Sequence, residues 1–310
     1  MTYAQALESV TSTSLKGLLG PAMLVGSCFA AYIPTILSLI DGPWQTEQEG
    51  HGPLIIAASL WLVWQSRQKL QAAAVRTSPA PVAGWITLLL GLALMFVART
   101  QGVLSVEAFS IIPVISGCVL LAGGWSTLRS LAFPIGFLLF AVPMPDWLID
   151  SATIPLKVFI SDLVTQSLYA AGYPIAQNGV MIMIGSYQLL VKDACSGLNS
   201  IFALSAIGVF YAYAFRRHEK IRSLLLLAAI VPITVAANFI RVITLVLTAY
   251  YGGVDLLEGT LHDLTGIGLF VVAVVLLFLF DAILGLFTGL VRMLLRRSSR
   301  SALTAIAQDA

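Results

Sequence analysis

Most of this chain consists of apolar runs, and several of them are long enough to cross a lipid bilayer as helices. A helix needs about 20 apolar residues to cross the ~30 Å hydrocarbon core. Apolar residues make up 58% of the 310 residues and charged residues only 10%, and the mean hydropathy is +0.93. Water-soluble domains do not have this composition, so the sequence predicts a polytopic membrane protein.

The length of the runs predicts helices. In lipid, only helices and closed barrels satisfy their backbone hydrogen bonds, and these runs are too long for barrel strands. We therefore expect an all-α bundle of about eight transmembrane helices in a single domain that occupies residues 1–310. The expected spans are residues 17–40, 53–66, 84–99, 108–124, 131–143, 197–215, 222–250 and 264–284.

The positions of the cations predict the orientation. In an eight-span arrangement the lysines and arginines fall on one side, which is the cytoplasmic side by the positive-inside rule. Both termini, residues 1–16 and 292–310, are then cytoplasmic, and most acidic residues lie on the opposite side. The cations are Lys16, Arg67, Lys69, Arg76, Arg129, Arg216, Arg217, Lys220, Arg222, Arg292, Arg296, Arg297 and Arg300.

Residues 143–196 are expected to form a small extracytoplasmic cap. Residues 147–170 have apolar positions on one face, and Pro155 breaks the pattern, which favours an interfacial amphipathic helix over another crossing. The charged residues that interrupt this segment are Asp150, Lys157 and Asp162.

The second part of the cap, residues 178–191, predicts two short strands around a turn at Gly185 and Ser186. This hairpin would bring Cys195 to the membrane surface. Its free edge is suited to hold an extended peptide by strand addition.

Three polar residues are candidates for chemistry. Cys195 lies in a short polar segment between two apolar regions, Arg241 lies inside an apolar run, and His262 precedes the last run. The predicted topology places all three at the side away from the cytoplasm. A thiol where water meets lipid is a candidate nucleophile, so these residues suggest acyl transfer on a peptide.

Each candidate also has a structural interpretation. A Cys in a membrane helix is usually a small packing residue, and we expect that role for Cys28 and Cys118. Around Cys195, polar neighbours favour a hydrated, polar site over a packing role. Those neighbours are Asp193, Ser196 and Asn199. Three cysteines without metal-ligand spacing predict neither a disulfide framework nor a metal site.

Arg241 and His262 have roles that remain open at this stage. An arginine inside a span is costly unless it meets an anion, a carbonyl or water, so Arg241 either forms a structural pair or supports a thiolate, a substrate carboxylate or an oxyanion. Asn238, on the same helix face, is expected to orient it. His262 is either an interfacial residue or a general acid and base that takes the Cys195 proton.

These residues resemble the exosortase/archaeosortase family of membrane-embedded cysteine peptidase-transpeptidases. The resemblance rests on Ala194-Cys195-Ser196-Gly197-Leu198, Asn238-Phe239-Ile240-Arg241 and His262. The amino-terminal half also resembles the family, and the similarity extends from about residue 41 to residue 290. The additional matching stretches are Gly50-His51-Gly52-Pro53-Leu54 with Trp61 and Trp64, and Phe137-Leu138-Leu139-Phe140-Ala141-Val142-Pro143-Met144-Pro145.

The resemblance implies a function that spacing alone does not reveal. Members process exported proteins whose carboxy-terminal sorting signal combines Pro-Glu-Pro, a membrane helix and a basic tail. Cys195, Arg241 and His262 then match the proposed catalytic residues of the family, in a bacterial inner membrane with the site facing the periplasm. The implied partners are these exported proteins, the lipid bilayer and an amine acceptor if the reaction is a transfer; no cofactor and no nucleic acid is implied.

Two other functions compete with this interpretation. A transporter would also retain an intramembrane arginine, and Asp281 in the last span could pair with transported cations; however, no inverted repeat is visible. A non-catalytic assembly protein for exopolysaccharide or protein export would tolerate Ser in place of Cys195. A Ser or paired-Asp intramembrane hydrolase is disfavoured because neither GxSxG nor a matched pair of intramembrane aspartates occurs in the sequence.

Overall fold

The computed structural model describes most of the chain and is mostly helical. It divides into two compact units, the first ending at Asp146 and the second beginning at Trp147. The described residues are 23, 26–46, 49–68, 70, 78–190, 200–216, 219–253, 268 and 270–289.

The first unit is built from helices that mostly begin at a proline. Proline suits the first turn of a helix because its fixed φ is helical and its missing N–H is not needed there. Proline occupies this place in α1, α2 and α3. The helices are α1 (Ile33–Asp41), α2 (Gly52–Gln65), α3 (Pro81–Thr100), α4 (Leu104–Phe109) and α5 (Ile111–Phe137), with 3-10 turns at Pro43–Gln45 and Leu138–Ala141.

Helices α3 and α5 pack closely through glycines. A Cβ on Gly117 of α5 would lie 2.6 Å from the backbone N of Leu88, and one on Gly91 of α3 would lie 2.7 Å from a methyl group of Val114. Without side chains at these points the two backbones approach closely, which is how membrane helices gain van der Waals contact.

A break at Gly124 divides α5. Its φ of 68° and ψ of −168° are not helical, and a Cβ there would collide with the carbonyl oxygen of Ser78. Glycine is therefore required on both conformational and steric grounds. The expected fourth and fifth spans lie on either side of this break, in one helical region from Leu104 to Ala141.

The described part of the second unit contains helices α6 to α9 and a small sheet. Helix α6 (Asp146–Ala170) leads into β1 (Ile175–Asn178), β2 (Met181–Ile184) and β3 (Tyr187–Leu190). After residues 191–199 come α7 (Ser200–Phe215), α8 (Lys220–Gly252) and α9 (Phe270–Gly289).

The sheet confirms the predicted hairpin and extends it. Strands β2 and β3 pair antiparallel around Gly185 and Ser186, with Ile184 opposite Tyr187. Strand β1, which the sequence pattern did not predict, pairs with β2 so that Ile175 faces Ile184. The order is β1-β2-β3, so the outer strands carry the sheet edges.

One apolar cluster joins α6, the sheet and α8. Ile160 and Val164 of α6 pack with Ile182 and Ile184 of β2 and with Val242 of α8. A second cluster joins α7, α8 and α9 through residues such as Leu204, Leu226 and Leu277. Helix α8 therefore contributes to both cores of this unit.

Helix α6 agrees with the helix expected over residues 147–170, and it continues through Pro155 over 25 residues. Its interfacial position stays a prediction. Lys157 is buried, while Phe159 is exposed. Helix α6 is thus apolar on two sides, one packed on α8 and the sheet and the other exposed.

Among the residues that the structure describes, four helical regions are long and apolar enough to cross a membrane, judged by length and composition. Two shorter apolar helices, Gly52–Gln65 and Ile201–Phe215, fall on expected spans as well. The helical bundle is confirmed, whereas the count of eight crossings stays a prediction. The four long regions are Pro81–Thr100, Leu104–Ala141, Lys220–Gly252 and Phe270–Gly289.

Candidate functional site

Helix α8 carries the one predicted catalytic side chain that lies within the described residues, Arg241. Only 3% of Arg241 is exposed, and Asn238, one turn earlier, is 2% exposed. Thr234 precedes Asn238 by four residues, is also buried, and donates its hydroxyl to the Ile230 carbonyl at 2.8 Å. Spacings of four and three residues place the three side chains on one helix face, so Arg241 and Asn238 share a face as predicted.

The residues next to this face along α8 are apolar. Val242, adjacent to Arg241, is fully buried in the cluster that includes Ile160 of α6 and Ile184 of β2, and Phe239 packs against the same cluster. A buried guanidinium is costly unless polar groups or an anion compensate it. Val242 places this part of α8 at the junction of α6, the sheet and α8.

Helix α6 brings a second buried polar row to this junction. Thr153, Lys157 and Ser161, spaced four residues apart, are all buried. They border the apolar stripe of Ile160 and Val164. Sequence reasoning noted Lys157 only as an interruption; the signal it missed is the regular four-residue spacing of polar residues inside an apolar helix.

The remaining predicted site residues lie outside the described residues. These are Cys195, His262, Asp193, Ser196 and Asn199. The described residues on either side of the Cys195 segment are informative, because Leu189 of β3 and Ile201 of α7 both pack against the cluster that contains Val242. Leu189 and Ile201 thus lie at the same junction as Val242, the residue that follows Arg241.

An ion-pair network fixes another part of the second unit. Asp281 of α9 accepts from Nε of Arg222 at 2.6 Å, from Nη2 of Arg216 at 2.7 Å and from the Tyr211 hydroxyl at 2.8 Å. The hydrogen bond to Asp281 raises the pKa of Arg216 above its ordinary value. The Asp281 carboxylate is therefore occupied by protein cations, which removes the observation that favoured a transporter.

Cys28 and Cys118 lie in the first unit, in an apolar cluster with Tyr32, Leu88 and Val114. This is the packing role predicted for both. Within the described residues, no group of three or more His, Cys, Asp or Glu side chains is arranged to hold a metal ion.

Comparison with models of protein families shows the family of this chain. The family model described as transmembrane exosortase matches residues 44–279, which is most of the chain. This chain belongs to the transmembrane exosortase family. The match begins in the turn before α2 and ends within α9, so it includes both polar rows of this exosortase and the predicted positions Cys195 and His262.

The family assignment confirms the resemblance found in the sequence and a multi-pass membrane protein. Exosortases are generally considered membrane proteases or transpeptidases, and membership implies processing of proteins with PEP-type carboxy-terminal sorting signals. No curated protein and no solved structure matches the chain.

Proposed function

We propose that this exosortase is a cysteine peptidase, acting as a protease or a transpeptidase, that removes the carboxy-terminal sorting signal of exported proteins through a Cys195 thioester. The observation that carries the proposal is the burial of Arg241 and Asn238 on one face of α8, within the residues matched by the family model. A buried arginine on a helix offers a preorganised positive charge for a reaction that develops negative charge.

The first half-reaction consumes the peptide bond. His262 takes the proton from the Cys195 thiol, and the thiolate attacks the scissile carbonyl carbon, which forms a C–S bond and places an electron pair on oxygen. Arg241, or backbone N–H groups, meets this oxyanion. The carbonyl then re-forms, the C–N bond breaks, and His262 returns the proton to the leaving amine.

The second half-reaction resolves the thioester. If water attacks the thioester and loses a proton to His262, the product is a carboxylate and the enzyme is a protease. If an amine attacks the same carbon, the product is a new amide and the enzyme is a transpeptidase. In both cases the sulfur leaves as the thiolate and is reprotonated. The released segment is the sorting signal's membrane helix with its basic tail.

The outer face of α6 and the edge of β1 offer a place for the extended part of the substrate. An open groove of about 610 Å³ lies there, lined by Phe159, Asp162 and Gln177 among others. The Gly185 N–H donates to the Pro174 carbonyl at 3.0 Å. In an antiparallel pair, hydrogen-bonded and non-hydrogen-bonded residues alternate along each strand. The backbone N–H and C=O of Gln177 therefore point away from β2. These groups are available for strand addition.

Nothing favours the competing functions over this one. A transporter needs a polar group in the span that is available to its cargo, and Asp281 is instead bonded by Arg216 and Arg222. A non-catalytic assembly protein remains testable, since it would work equally well without the Cys195 thiol.

The experiment that tests the proposal follows the size of a tagged substrate. The exosortase is co-expressed with an exported protein ending in Pro-Glu-Pro, a membrane helix and a basic tail, and the substrate is compared between wild type and Cys195→Ala. We expect loss of the tail with wild type only. Mass spectrometry of the new carboxy terminus then separates a free carboxylate from an amide.

Two variants control this experiment. Cys118→Ala removes a packing thiol and is expected to process normally, and Cys195→Ser tests whether a hydroxyl can replace the thiol. Equal processing by wild type and Cys195→Ala, or full activity with Cys195→Ser, would refute the thioester mechanism and favour the assembly role.

A further inference from the structure

Three tyrosines meet where the end of α8 reaches the sheet. Tyr173 lies between α6 and β1, and Tyr250 and Tyr251 lie in the last turn of α8. The ring centroids of Tyr173 are 5.5 Å from those of Tyr250 and 6.3 Å from those of Tyr251, and Tyr250 and Tyr251 are 5.1 Å apart. All three pairs are arranged edge to face, with interplanar angles from 81° to 86°. These residues form the tyrosine cluster.

The core of the second unit holds the tyrosine cluster in place. Tyr173 and Tyr250 pack against the apolar cluster that joins α6, the sheet and α8. A Cβ on Gly185, in the turn between β2 and β3, would lie 3.4 Å from the ring of Tyr250. Tyr251 is on the open side, with 73% of its surface exposed. The cluster therefore combines two supported rings with one ring that a ligand can reach.

The hydrogen bond within the tyrosine cluster leaves a hydroxyl proton available. The hydroxyl oxygens of Tyr173 and Tyr251 lie 2.9 Å apart, and either hydroxyl can be the donor. One hydroxyl donates to the other, and the proton of the second hydroxyl has no acceptor among the described residues. This proton can be donated to a ligand that lies on the rings.

Exposed aromatic rings with a free hydroxyl proton are suited to bind a proline-containing segment. Aromatic-lined surfaces bind such segments in the polyproline II conformation, which is already formed before binding. This conformation has no internal hydrogen bonds, so its carbonyl oxygens are free to accept. Its rise of about 3.1 Å per residue places two prolines separated by one residue roughly 6 Å apart along the axis. The rings of Tyr173 and Tyr251 are separated by a similar distance, 6.3 Å.

The position of the tyrosine cluster along α8 also fits such a segment. In the proposed substrate, Pro-Glu-Pro precedes a membrane helix whose basic tail stays in the cytoplasm by the positive-inside rule. Pro-Glu-Pro therefore lies at the periplasmic surface of the bilayer. Arg222 is near the first residue of α8 and the tyrosine cluster is at its last turn, so the predicted topology places the cluster at that same surface.

We propose that the tyrosine cluster is the subsite of this exosortase that binds the two prolines of Pro-Glu-Pro. One proline packs on Tyr173 and the other on Tyr251, while the free hydroxyl proton is donated to a carbonyl oxygen of the segment. Tyr250 supports both rings edge to face. The inference rests on the proposed function for the identity of the substrate. The tyrosines select the signal and take no part in bond cleavage.

The test measures binding without using catalysis. The full chain carrying Cys195→Ala is labelled, and its affinity in detergent for an exported protein ending in Pro-Glu-Pro, a membrane helix and a basic tail is measured by thermophoresis. A second protein carries Ala-Glu-Ala instead. Tyr251→Ala is expected to weaken binding of the Pro-Glu-Pro protein by about fivefold to tenfold, the loss expected for one aromatic contact. It should not weaken binding of the Ala-Glu-Ala protein, which lacks the ring's partner.

Tyr251→Phe separates the ring from its hydroxyl. This variant keeps the aromatic face, and the Tyr173 hydroxyl can then act as the donor. Its affinity for the Pro-Glu-Pro protein should therefore stay within about threefold of the parent. Gel filtration and thermal unfolding identify any misfolded variant, and Tyr251→Leu takes the place of Tyr251→Ala if that variant misfolds.

Tyr169→Ala is the matched control. Tyr169 of α6 is 71% exposed, much like Tyr251, but it is not part of the tyrosine cluster, so this variant should bind both proteins as the parent does. Equal effects of Tyr251→Ala on the two proteins, equal effects of Tyr251→Ala and Tyr169→Ala, or no effect of Tyr251→Ala would overturn the inference. If binding depends on Tyr251 and on the prolines but the wild type does not process the substrate, the proposed function alone fails.

Discussion

At the residue scale, the chain buries charge in only a few places within the described residues, and each has a distinct setting. Asp281 lies among Arg216, Arg222 and Tyr211, whereas Glu107 of α4 accepts from Arg99 at 2.8 Å and from Thr35 at 2.7 Å. These two carboxylates have protein partners that explain them structurally. The buried cations among the described residues are Arg241 on α8 and Lys157 on α6.

Replacing Asp281 by Asn should destabilise the protein strongly. The amide keeps the size of the side chain but removes the buried carboxylate between Arg216 and Arg222, whose other anionic partner, Glu219, is more exposed. Removing one partner of a buried ion pair typically costs about 3 kcal/mol or more. We expect a matching decrease in the free energy of unfolding, measured by denaturant titration in detergent micelles.

A matched control uses the same substitution on the surface. Asp162 is exposed and accepts one hydrogen bond, from Gln166 at 2.8 Å, so Asp162→Asn should change the free energy of unfolding by less than about 0.5 kcal/mol. Similar values for the two variants would mean that the Asp281 network does not hold α7, α8 and α9 together.

At the element scale, glycines decide how the helices of the first unit meet. Gly84 and Gly91 on α3 and Gly117 on α5 each face the other helix at distances that exclude a Cβ. Gly136 of α5 has no atom within 4 Å of an added Cβ. Substitution by alanine is therefore expected to affect stability at Gly117 but not at Gly136, although both lie on α5.

Gly117→Ala should weaken the α3–α5 contact. The new methyl group would lie 2.6 Å from the backbone N of Leu88 and 2.8 Å from its Cα, and backbone atoms cannot move aside as a flexible side chain can. Such overpacking costs about 1–3 kcal/mol. Unfolding of the purified protein, followed by circular dichroism during denaturant titration, should show this loss.

The companion variant Gly136→Ala should be neutral or stabilising by up to about 1 kcal/mol, because alanine favours the helix and meets no neighbour. If both variants unfold at the same denaturant concentration, the close approach of α3 and α5 is not a source of stability.

At the scale of the whole molecule, α8 is long enough to cross the membrane and carries different residue types at its two ends. Its 33 residues extend about 50 Å at 1.5 Å per residue, which exceeds the ~30 Å hydrocarbon core. Arg222 lies near its first residue, and Tyr250 and Tyr251 lie near its last, with the Tyr251 hydroxyl 2.9 Å from that of Tyr173. Cations at one end and tyrosines at the other are typical of membrane interfaces.

The orientation of α8 can be tested with reporter fusions. Because the predicted topology places the cations on the cytoplasmic side, we expect alkaline phosphatase to be active when fused after Ser186, in the turn of the sheet, and inactive when fused after Glu219, just before α8. Green fluorescent protein at the carboxy terminus should fluoresce, as it folds in the cytoplasm. Active phosphatase at Glu219 would invert the predicted topology.

Sequence patterns alone predict the membrane class, the helical architecture, the β2–β3 hairpin and the family. These features follow from local patterns: long apolar runs, alternation around a Gly-Ser turn, and short motifs such as Asn238-Phe239-Ile240-Arg241. The sequence also predicted that Asn238 and Arg241 share a face, since helix periodicity fixes this without any knowledge of neighbours.

The partners of the buried polar groups depend on contacts between distant segments. No local pattern reveals that Arg216 and Arg222 reach Asp281 across more than 50 residues, that β1 completes the sheet, or that Lys157 is buried while Phe159 is exposed. A helix that is apolar on two sides has no unique inward face until other elements pack against it. The environment of a charged side chain depends on those distant contacts, so the sequence can identify Lys157 but cannot place it.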